Sequence, residues 1–292
     1  MIDIILNNLI PFIIILTILV FVHELGHYLV ARKNGVKVEV FSIGFGKELF
    51  GFTDKNETRW KFSLIPLGGY VKMHGDLDEA STKKKESSEI IPGQSFHEKT
   101  IYQRSMILVA GPAANFIFSF VLLIFINIFY GISIDKPEIS YVEKDMPAYN
   151  SGLKEGDLII EIDGNKIEKF SQIKRLIENK NNQSINLLFS RDGKVSEVKV
   201  NVINNIIGIR GKIEKKKLNF IESFNESLLQ IYNFTKLTLV GVYEIITGNR
   251  GTDELGGPIR IAELSGDFWS KGLHSTLWFM MIISLNLGLI NL

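Results

Sequence analysis

Three long apolar segments are separated along the chain by polar regions. The first runs from Ile4 to Val22 without a charged residue and continues to Ala31, and the other two cover residues 106–134 and 272–292. About 20 apolar residues cross the hydrocarbon of a bilayer, so each segment is long enough to span it. The first segment lacks the basic start and the small-residue cleavage site of a signal peptide. The pattern therefore predicts transmembrane helices within residues 1–34, 105–134 and 272–292.

The charges beside the first segment predict its orientation. Residues 1–8 contain no Lys or Arg, whereas Arg32 and Lys33 directly follow the segment. Basic residues that flank a span remain on the cytoplasmic side. This asymmetry predicts an N-terminus outside the cytoplasm, residues 35–104 inside it, and residues 135–271 outside it again.

Two segments after the first span alternate between apolar and polar residues. Residues 36–45 and 60–73 are rich in β-branched and aromatic side chains, which is typical of strands. Together they predict a β-hairpin, which either re-enters the membrane beside the first span or is soluble in the cytoplasm. The edge around Gly68 and Gly69 is a candidate site for binding a substrate in extended form.

Residues 135–212 show a different pattern, in which short strands alternate with turns and one helix. The helix is predicted at residues 171–180 and the last strand at residues 206–210. This pattern predicts a small α+β domain outside the cytoplasm. A groove beside the last strand is a candidate peptide site, while the alternative is a domain that only excludes bulky substrates. The candidate residues of this groove are Ile206, Gly208 and Ile209.

Residues 213–271 are predicted to hold an amphipathic helix and a loop. Within residues 220–246, apolar side chains recur at helical spacing, while Glu222, Glu226 and Lys236 interrupt them. Such a segment is typical of a helix that lies on a domain or on the membrane surface. We therefore expect no fourth span here.

Composition narrows the possible classes of function. Hydrophobic residues make up 46% of the chain, as expected of a membrane protein with several spans. Lys and Arg number 33 against 32 Asp and Glu, which excludes the strongly basic surface of a nucleic-acid-binding protein. The chain has no cysteine, so disulfides, thiolate zinc sites and cysteine nucleophiles are excluded.

A motif with metal-binding chemistry, His23-Glu24-Leu25-Gly26-His27, lies at the far end of the first apolar segment. Two histidines four residues apart leave the same face of a helix and can bind one Zn²⁺. Glu24 lies beside them, where a carboxylate can take a proton from metal-bound water. Ionisable residues inside a span are costly, which favours function over a helix-end cluster directed at the headgroups. His23 lies about 28 Å along the helix from its start, towards the cytoplasmic face.

The second apolar segment begins with a polar motif. Gly111, Pro112 and Asn115 lie near its cytoplasmic end, at a depth similar to that of the zinc motif. Asn115 is a candidate catalytic residue, because its amide can donate a hydrogen bond to the substrate backbone or to a developing oxyanion. The alternative is a proline-kinked helix start with close glycine packing.

Several motifs spread over nearly the whole chain resemble those of the site-2-type intramembrane zinc metalloproteases, which include the bacterial regulator of sigma-E protease. Residues 152–167 in addition resemble part of a PDZ domain, which this family carries between its second and third spans. The family-like motifs are HELGH at 23–27, FSIGFG at 41–46, PLGGYVKM at 66–73, GPAANF at 111–116 and NLGLINL at 286–292.

The resemblance implies a catalytic site. It implies that His23 and His27 bind zinc and that Glu24 is the general base. It also implies a third ligand, an aspartate in a Leu-Asp-Gly motif, which is expected beyond Leu292 and is absent from the chain as given. The fold implied is an α-helical membrane protein with a re-entrant β-hairpin and an extracytoplasmic α+β PDZ domain.

The resemblance further implies a biological setting. The protein is expected to be a multi-pass enzyme of the bacterial cytoplasmic (inner) membrane that cleaves single-span membrane proteins in regulated intramembrane proteolysis. Its substrates are expected to be first trimmed by an upstream site-1-type protease, and anti-sigma factors and signal-peptide remnants are examples. Lipid and substrate are the expected partners, without nucleic acid.

Two other classes of function stay open from the sequence. A non-catalytic membrane scaffold would use the PDZ domain for binding, but it has no need of Glu24 as a base. A zinc transporter would place polar residues along a path through several helices, whereas here they lie at one depth. The other histidines are weaker ligand candidates, because His274 lies near the outer end of its span, and His74 and His97 are expected on the surface.

Overall fold

The computed structural model describes residues 5–75, 92–251 and 256–292, which form two compact units. One unit comprises Met1–Tyr130 and Asn219–Leu292, and the other is Gly131–Leu218. In chain order the elements are α1 (Ile10–Lys33), β1 (Val38–Thr53), β2 (Arg59–Met73), α2 (Ile101–Phe129), β3 (Ile132–Val142), α3 (Pro147–Asn150), β4 (Leu158–Ile162), β5 (Asn165–Lys166), α4 (Ser171–Ile177), β6 (Ser184–Arg191), β7 (Lys194–Asn201), β8 (Ile209–Lys216), α5 (Phe220–Ile246), α6 (Pro258–Ser270) and α7 (Leu273–Ile290).

Helices α1, α2 and α7 form the centre of the first unit. Among the described residues, these three helices are long and apolar enough to cross a membrane, as the sequence predicted. A π-helical turn, Ile5–Leu9, leads into α1, and a capping box between Thr100 and Gln103 begins α2. Their shared core contains aliphatic, aromatic and methionine side chains, including Leu19, Leu123 and Met281.

The second span ends earlier in the chain than the sequence predicted. Helix α2 ends at Phe129, and Gly131 follows with a φ of +73°, a conformation that L side chains rarely adopt. The apolar residues from Ile132 onwards belong to β3, a strand of the second unit that pairs with β8 of the same unit. Apolar character alone did not reveal this change, because a half-buried strand and a span are both rich in isoleucine.

Strands β1 and β2 form a twisted, irregular hairpin that packs on α1. Residues 40–43 of β1 pair with both ends of β2, with residues 59–62 on one side and residues 69–72 on the other. Phe41 and Val38 are buried against Tyr28 of α1. The antiparallel hairpin itself is confirmed, although β1 extends to Thr53 rather than ending near residue 45, and its re-entry into the membrane stays a prediction.

Helix α5 confirms the predicted helix over residues 220–246 and shows where its narrow buried face lies. Ser223 and Ser227 are buried, and the Ser227 Oγ accepts a hydrogen bond of 3.0 Å from Asn127 Nδ2 of α2. Phe234 packs edge-to-face on Trp278 of α7. The helix therefore packs on the apolar helices of its own unit, and a position on the membrane surface stays a prediction. Helix α6, which begins directly after the loop predicted at residues 248–257, was not predicted.

The second unit has the predicted α+β character. Its sheet has the order β7-β6-β4-β3-β8, with β5 beside β4. The predicted helix begins at Ser171 and ends three residues early at Ile177, and its Ile173 and Ile177 face the core. That core contains fourteen buried apolar residues, eight of them isoleucine. The tight turn at Asp163-Gly164 has positive φ at both residues, as a hairpin turn of this type requires.

Candidate metal centre

The two histidines of the motif converge on one point. On α1, the Nε2 atoms of His23 and His27 lie 3.2 Å apart, with their rings at 76° to each other. Two nitrogen ligands about 2.0–2.1 Å from a tetrahedral zinc ion lie about 3.3 Å from each other. The pair therefore has the separation that binding to a single zinc ion requires.

Helix α2 supplies a partner for the other ring nitrogen of each histidine. His27 Nδ1 lies 2.7 Å from the main-chain oxygen of Ile107, and His23 Nδ1 lies 3.0 Å from the side-chain amide of Asn115. Such contacts behind a ligand hold the ring in place and direct the opposite nitrogen at the metal. The two helices together therefore orient both histidine rings.

Gly111 leaves the space in front of the histidines open. A Cβ atom at this position would lie 2.3 Å from His27 Nε2 and 2.8 Å from His23 Nε2, far inside van der Waals contact. Gly26 allows the helices to come this close, because a Cβ there would lie 2.3 Å from the Ala110 oxygen. The sequence indicated close glycine packing. It did not indicate that Gly111 borders the point on which the two histidines converge.

The hairpin reaches the general-base candidate. A Cβ on Gly69 would lie 2.8 Å from Val20 Cγ1 and 3.2 Å from Glu24 Cγ, so the main chain of β2 lies directly against this turn of α1. Gly68 has a φ of +138° and lies under the ring of Phe45. The structure thus brings Gly69 to the motif and places Gly68 against Phe45, while the binding of substrate by either glycine stays a prediction.

Asn115 lies on the Nδ1 side of the His23 ring, away from the point on which the two histidines converge. Its side chain is 0% exposed, and its amide contacts His23. The predicted contact with substrate or oxyanion stays a prediction that no contact in the structure supports.

The remaining polar candidates do not join the histidine pair. Within residues 5–75, 92–251 and 256–292, no three His, Asp or Glu side chains gather as a metal site, and the expected aspartate ligand stays a prediction. The ring of His274 packs on Tyr130, away from the motif. His74 is not the surface residue expected, because it is 4% exposed and its Nδ1 lies 2.9 Å from a Glu39 oxygen.

The candidate groove residues of the second unit lie at the start of β8 and before it. Gly208 has a φ of +81° and packs on Met146, and Ile206 is half exposed. Strand β8 is an edge strand, so one side of it is open to an added strand. A cavity of about 340 Å³ lies further along β8, beside Gly211 and Phe170.

Comparisons of the sequence with family models and with known proteins agree on one family. The family model described as peptidase family M50 matches residues 11–292. A Rhizobium meliloti protein named as a zinc metalloprotease is 34% identical over 96% of this chain and 81% of its own length. A Rickettsia conorii protein with the same type of name is 36% identical, over 98% of this chain and 84% of its own.

Zinc metalloprotease RasP of Geobacillus kaustophilus is 29% identical over 98% of this chain and 86% of its own length. Among solved structures, the PDZ domain of an SdrC-like protein from Listeria monocytogenes matches 27% of this chain and 90% of its own, with 24% identity and a TM-score of 0.25. The family match covers the histidine motif, the hairpin and all three apolar helices, and the relatives are named for zinc and for proteolysis. The chain belongs to peptidase family M50, the site-2 protease family of zinc metalloproteases.

Proposed function

We propose that the protein is an intramembrane endopeptidase that cleaves single-span membrane proteins with the aid of zinc. One observation carries the proposal: the Nε2 atoms of His23 and His27 converge at 3.2 Å on an apolar helix long enough to cross a bilayer. Ligands at that position leave soluble substrates little access, whereas a substrate that is itself in the membrane can approach between helices.

The chemistry follows from the side chains around the histidine pair. Zinc, when bound, acts as a Lewis acid and makes its water a nucleophile near neutral pH. His23 and His27 would hold the ion, together with the aspartate ligand that the family resemblance implies. Glu24 accepts a proton from the attacking water and passes it to the leaving amine. The main-chain contact of His27 keeps its ring fixed during these steps.

The hairpin is proposed to present the substrate as an extended strand. A peptide bond within a helix is shielded, so the substrate must unwind before it is attacked. The segment of β2 at Gly69 lies beside Glu24, where an added strand would place its carbonyl groups near the base. The far part of the hairpin exposes Phe50, Phe52 and Leu64 by about 60% each, which favours insertion into lipid over a soluble hairpin.

The α+β domain is proposed to lie outside the cytoplasm of a bacterial inner membrane and to control access. Its open edge strand β8 favours binding of a peptide by strand addition. The alternative, a size filter without a ligand, uses only the bulk of the domain. Either role fits a substrate that an upstream protease has already trimmed, such as an anti-sigma factor or a signal-peptide remnant.

A cleavage assay tests the enzymatic proposal. Full-length protein in detergent or liposomes is incubated with a tagged single-span substrate, with and without a zinc chelator. We expect cleavage by the wild type, none by Glu24→Gln, and loss of cleavage with the chelator. Glu197→Gln is the matched control, because Glu197 is exposed on β7 of the other unit, and it should cleave normally.

The alternative of a non-catalytic membrane scaffold gives a different result in the same assay. If Glu24→Gln cleaves as well as the wild type, or if the chelator has no effect, the proposed chemistry is wrong. Zinc content measured on the same samples then separates a protein that binds no metal from one that uses another base.

A further inference from the structure

Asn115 is buried at the contact between the zinc-motif helix and its neighbour. It lies on α2, is 0% exposed, and its side-chain amide is 3.0 Å from His23 Nδ1. A buried amide in a membrane helix is costly unless its polar atoms have partners. A polar side chain at this buried position therefore requires a physical explanation.

The hydrogen bond has to run in a particular direction when the metal binds. A histidine that binds zinc through Nε2 carries its proton on Nδ1, so Nδ1 must donate. Of the two polar ends of the Asn115 amide, only Oδ1 can accept. Oδ1 is buried and has no hydrogen-bond partner among the described residues, so this acceptor is available.

The amide orientation that allows this bond is related by a half-turn to the one in which Nδ2 faces His23. Oxygen and nitrogen of an asparagine amide have nearly the same shape, so a rotation of about 180° exchanges them without moving other atoms. In that orientation Oδ1 takes the position 3.0 Å from His23 Nδ1. The Nε2 lone pair of His23 is then free to face the metal.

Two serine hydroxyls hold Asn115 itself in place. Its main-chain oxygen accepts hydrogen bonds from Ser119 Oγ at 2.9 Å and from Ser284 Oγ at 3.0 Å. Ser119 Oγ also lies 3.1 Å from the main-chain oxygen of Met281. Helix α7 is thereby fixed to α2 at the residue that contacts the zinc ligand.

The two ligands differ in how their second nitrogen is held. His27 uses a main-chain oxygen, that of Ile107, which no side-chain substitution removes. His23 uses a side chain, so its orientation depends on one residue identity. We propose that Asn115 is a positioning residue that accepts a hydrogen bond from His23 Nδ1 and so fixes the His23 tautomer that binds zinc. This inference rests on the proposed zinc site, and it gives Asn115 a role without contact with the substrate.

Zinc affinity of full-length protein in detergent, measured by competition with a chromophoric chelator, tests the proposal. The variants are Asn115→Ala, Asn115→Leu and Asn115→Asp. Loss of the acceptor in the first two should weaken zinc binding about 10- to 100-fold, because outer-shell partners contribute that much to metal sites. Asn115→Asp keeps an acceptor oxygen, so its affinity should stay within about threefold of wild type.

Asn127→Ala is the matched control. Asn127 is also buried on α2, but its amide contacts Ser227 of α5 and not the motif, so zinc affinity should not change. A second readout is the turnover number at saturating zinc, which should stay within about tenfold of wild type in Asn115→Ala because the residue does not touch the substrate. Asn115→Leu keeps the number and branching of the side-chain heavy atoms, and it serves as the second variant if Asn115→Ala does not fold.

Two results would overturn the proposal. One is unchanged zinc affinity in Asn115→Ala with a turnover number reduced 100-fold or more, which would place the amide on the substrate. The other is an Asn115→Asp affinity as weak as that of Asn115→Leu. Failure of the proposed function looks different, since the wild type would then bind zinc without cleaving, or would bind none.

Discussion

The two units of the molecule bury different kinds of side chain. In Gly131–Leu218, fourteen apolar residues form the core, and Asp157 is the one buried polar or charged residue among those described. In the helical unit, buried polar residues occur along α2, α5, α6 and α7. Several of these side chains join one helix to another, as Ser284 does with the Asn115 oxygen.

This difference reflects the solvent around each unit. A domain in water is stabilised by removing apolar surface from water, so an aliphatic core suffices. Lipid gives helices no such driving force, and close contacts between small residues and interhelical hydrogen bonds take its place. The comparison predicts that the domain is sensitive to lost volume, and that the helical unit is sensitive to added volume and only weakly to a lost hydroxyl.

The largest effect is expected from added volume at the metal centre. Gly111→Ala would place a methyl group 2.3 Å from His27 Nε2. We expect loss of most bound zinc and a fall in cleavage of about 100-fold or more, since a ligand must move. Zinc content by mass spectrometry and the cleavage assay measure both.

Gly266→Ala is the matched control for this change. Gly266 of α6 is also buried, and a Cβ there would lie 2.3 Å from the Asn7 oxygen, but the position lies beside the π-helical turn that precedes α1. This variant should lose stability and keep its zinc. If Gly111→Ala retains zinc and activity, the close approach of α2 to the motif is wrong.

In the domain, the largest expected effect comes from lost volume. Ile159 is 1% exposed in the core, so Ile159→Ala should lower the free energy of unfolding by about 2–5 kcal/mol. Urea unfolding of the domain followed by circular dichroism measures it. Val195→Ala, at a side chain 60% exposed, should change stability by less than about 0.5 kcal/mol. Similar effects at both positions would contradict the aliphatic core.

A lost hydroxyl in the helical unit should cost much less. Ser284→Ala removes a hydrogen bond to the Asn115 oxygen, which Ser119 still bonds. We expect a loss of about 0.6 kcal/mol, and at most about 1.7, as for other interhelical bonds. Reversible unfolding in bicelles tests this value. Ser270→Ala, whose hydroxyl bonds only within α6, is the control with no expected change.

The smallest expected effect is on the pH dependence of the stability of the α+β domain. Burial alone would raise the pKa of Asp163, but hydrogen bonds from Lys180 and the Asn186 amide outweigh it and lower the pKa. Because the pKa of Asp163 is lower in the folded protein than in the unfolded chain, its carboxylate stabilises the fold at pH values above the unfolded pKa of about 3.9. This stabilisation is lost as the pH falls below that pKa. The urea midpoint should therefore fall more steeply with acidification in wild type than in Asp163→Asn. Parallel curves would contradict the assignment.

The sequence predicted much of this architecture where a periodic pattern was strong. Uniform apolar runs indicated the three spans, and alternation indicated the hairpin. Boundaries were less certain, since Ile132 and its neighbours extend the apolar run of α2 but form a strand. Helix α6 was missed because its apolar positions are few and follow a polar loop.

The candidate metal site also has features that the local sequence predicted and features that it did not. The HExxH spacing predicted two ligands and a base, because helix geometry relates residues four apart without reference to the rest of the chain. The second helix was noticed only through Gly111 and Asn115. Its contacts with the histidines could not be predicted from the sequence, because the contacting residues are 80 and 92 positions apart.

The sequence by itself determined the class of the protein and its three apolar helices, and it predicted two zinc ligands and a base. Each of these features depends on the composition or the helical periodicity of a single segment of the sequence. The tertiary structure decided what surrounds the histidines: Gly111 in front, Asn115 and Ile107 behind, and Gly69 beside Glu24. Those contacts join segments distant in sequence, and they depend on how closely two helices and a hairpin pack.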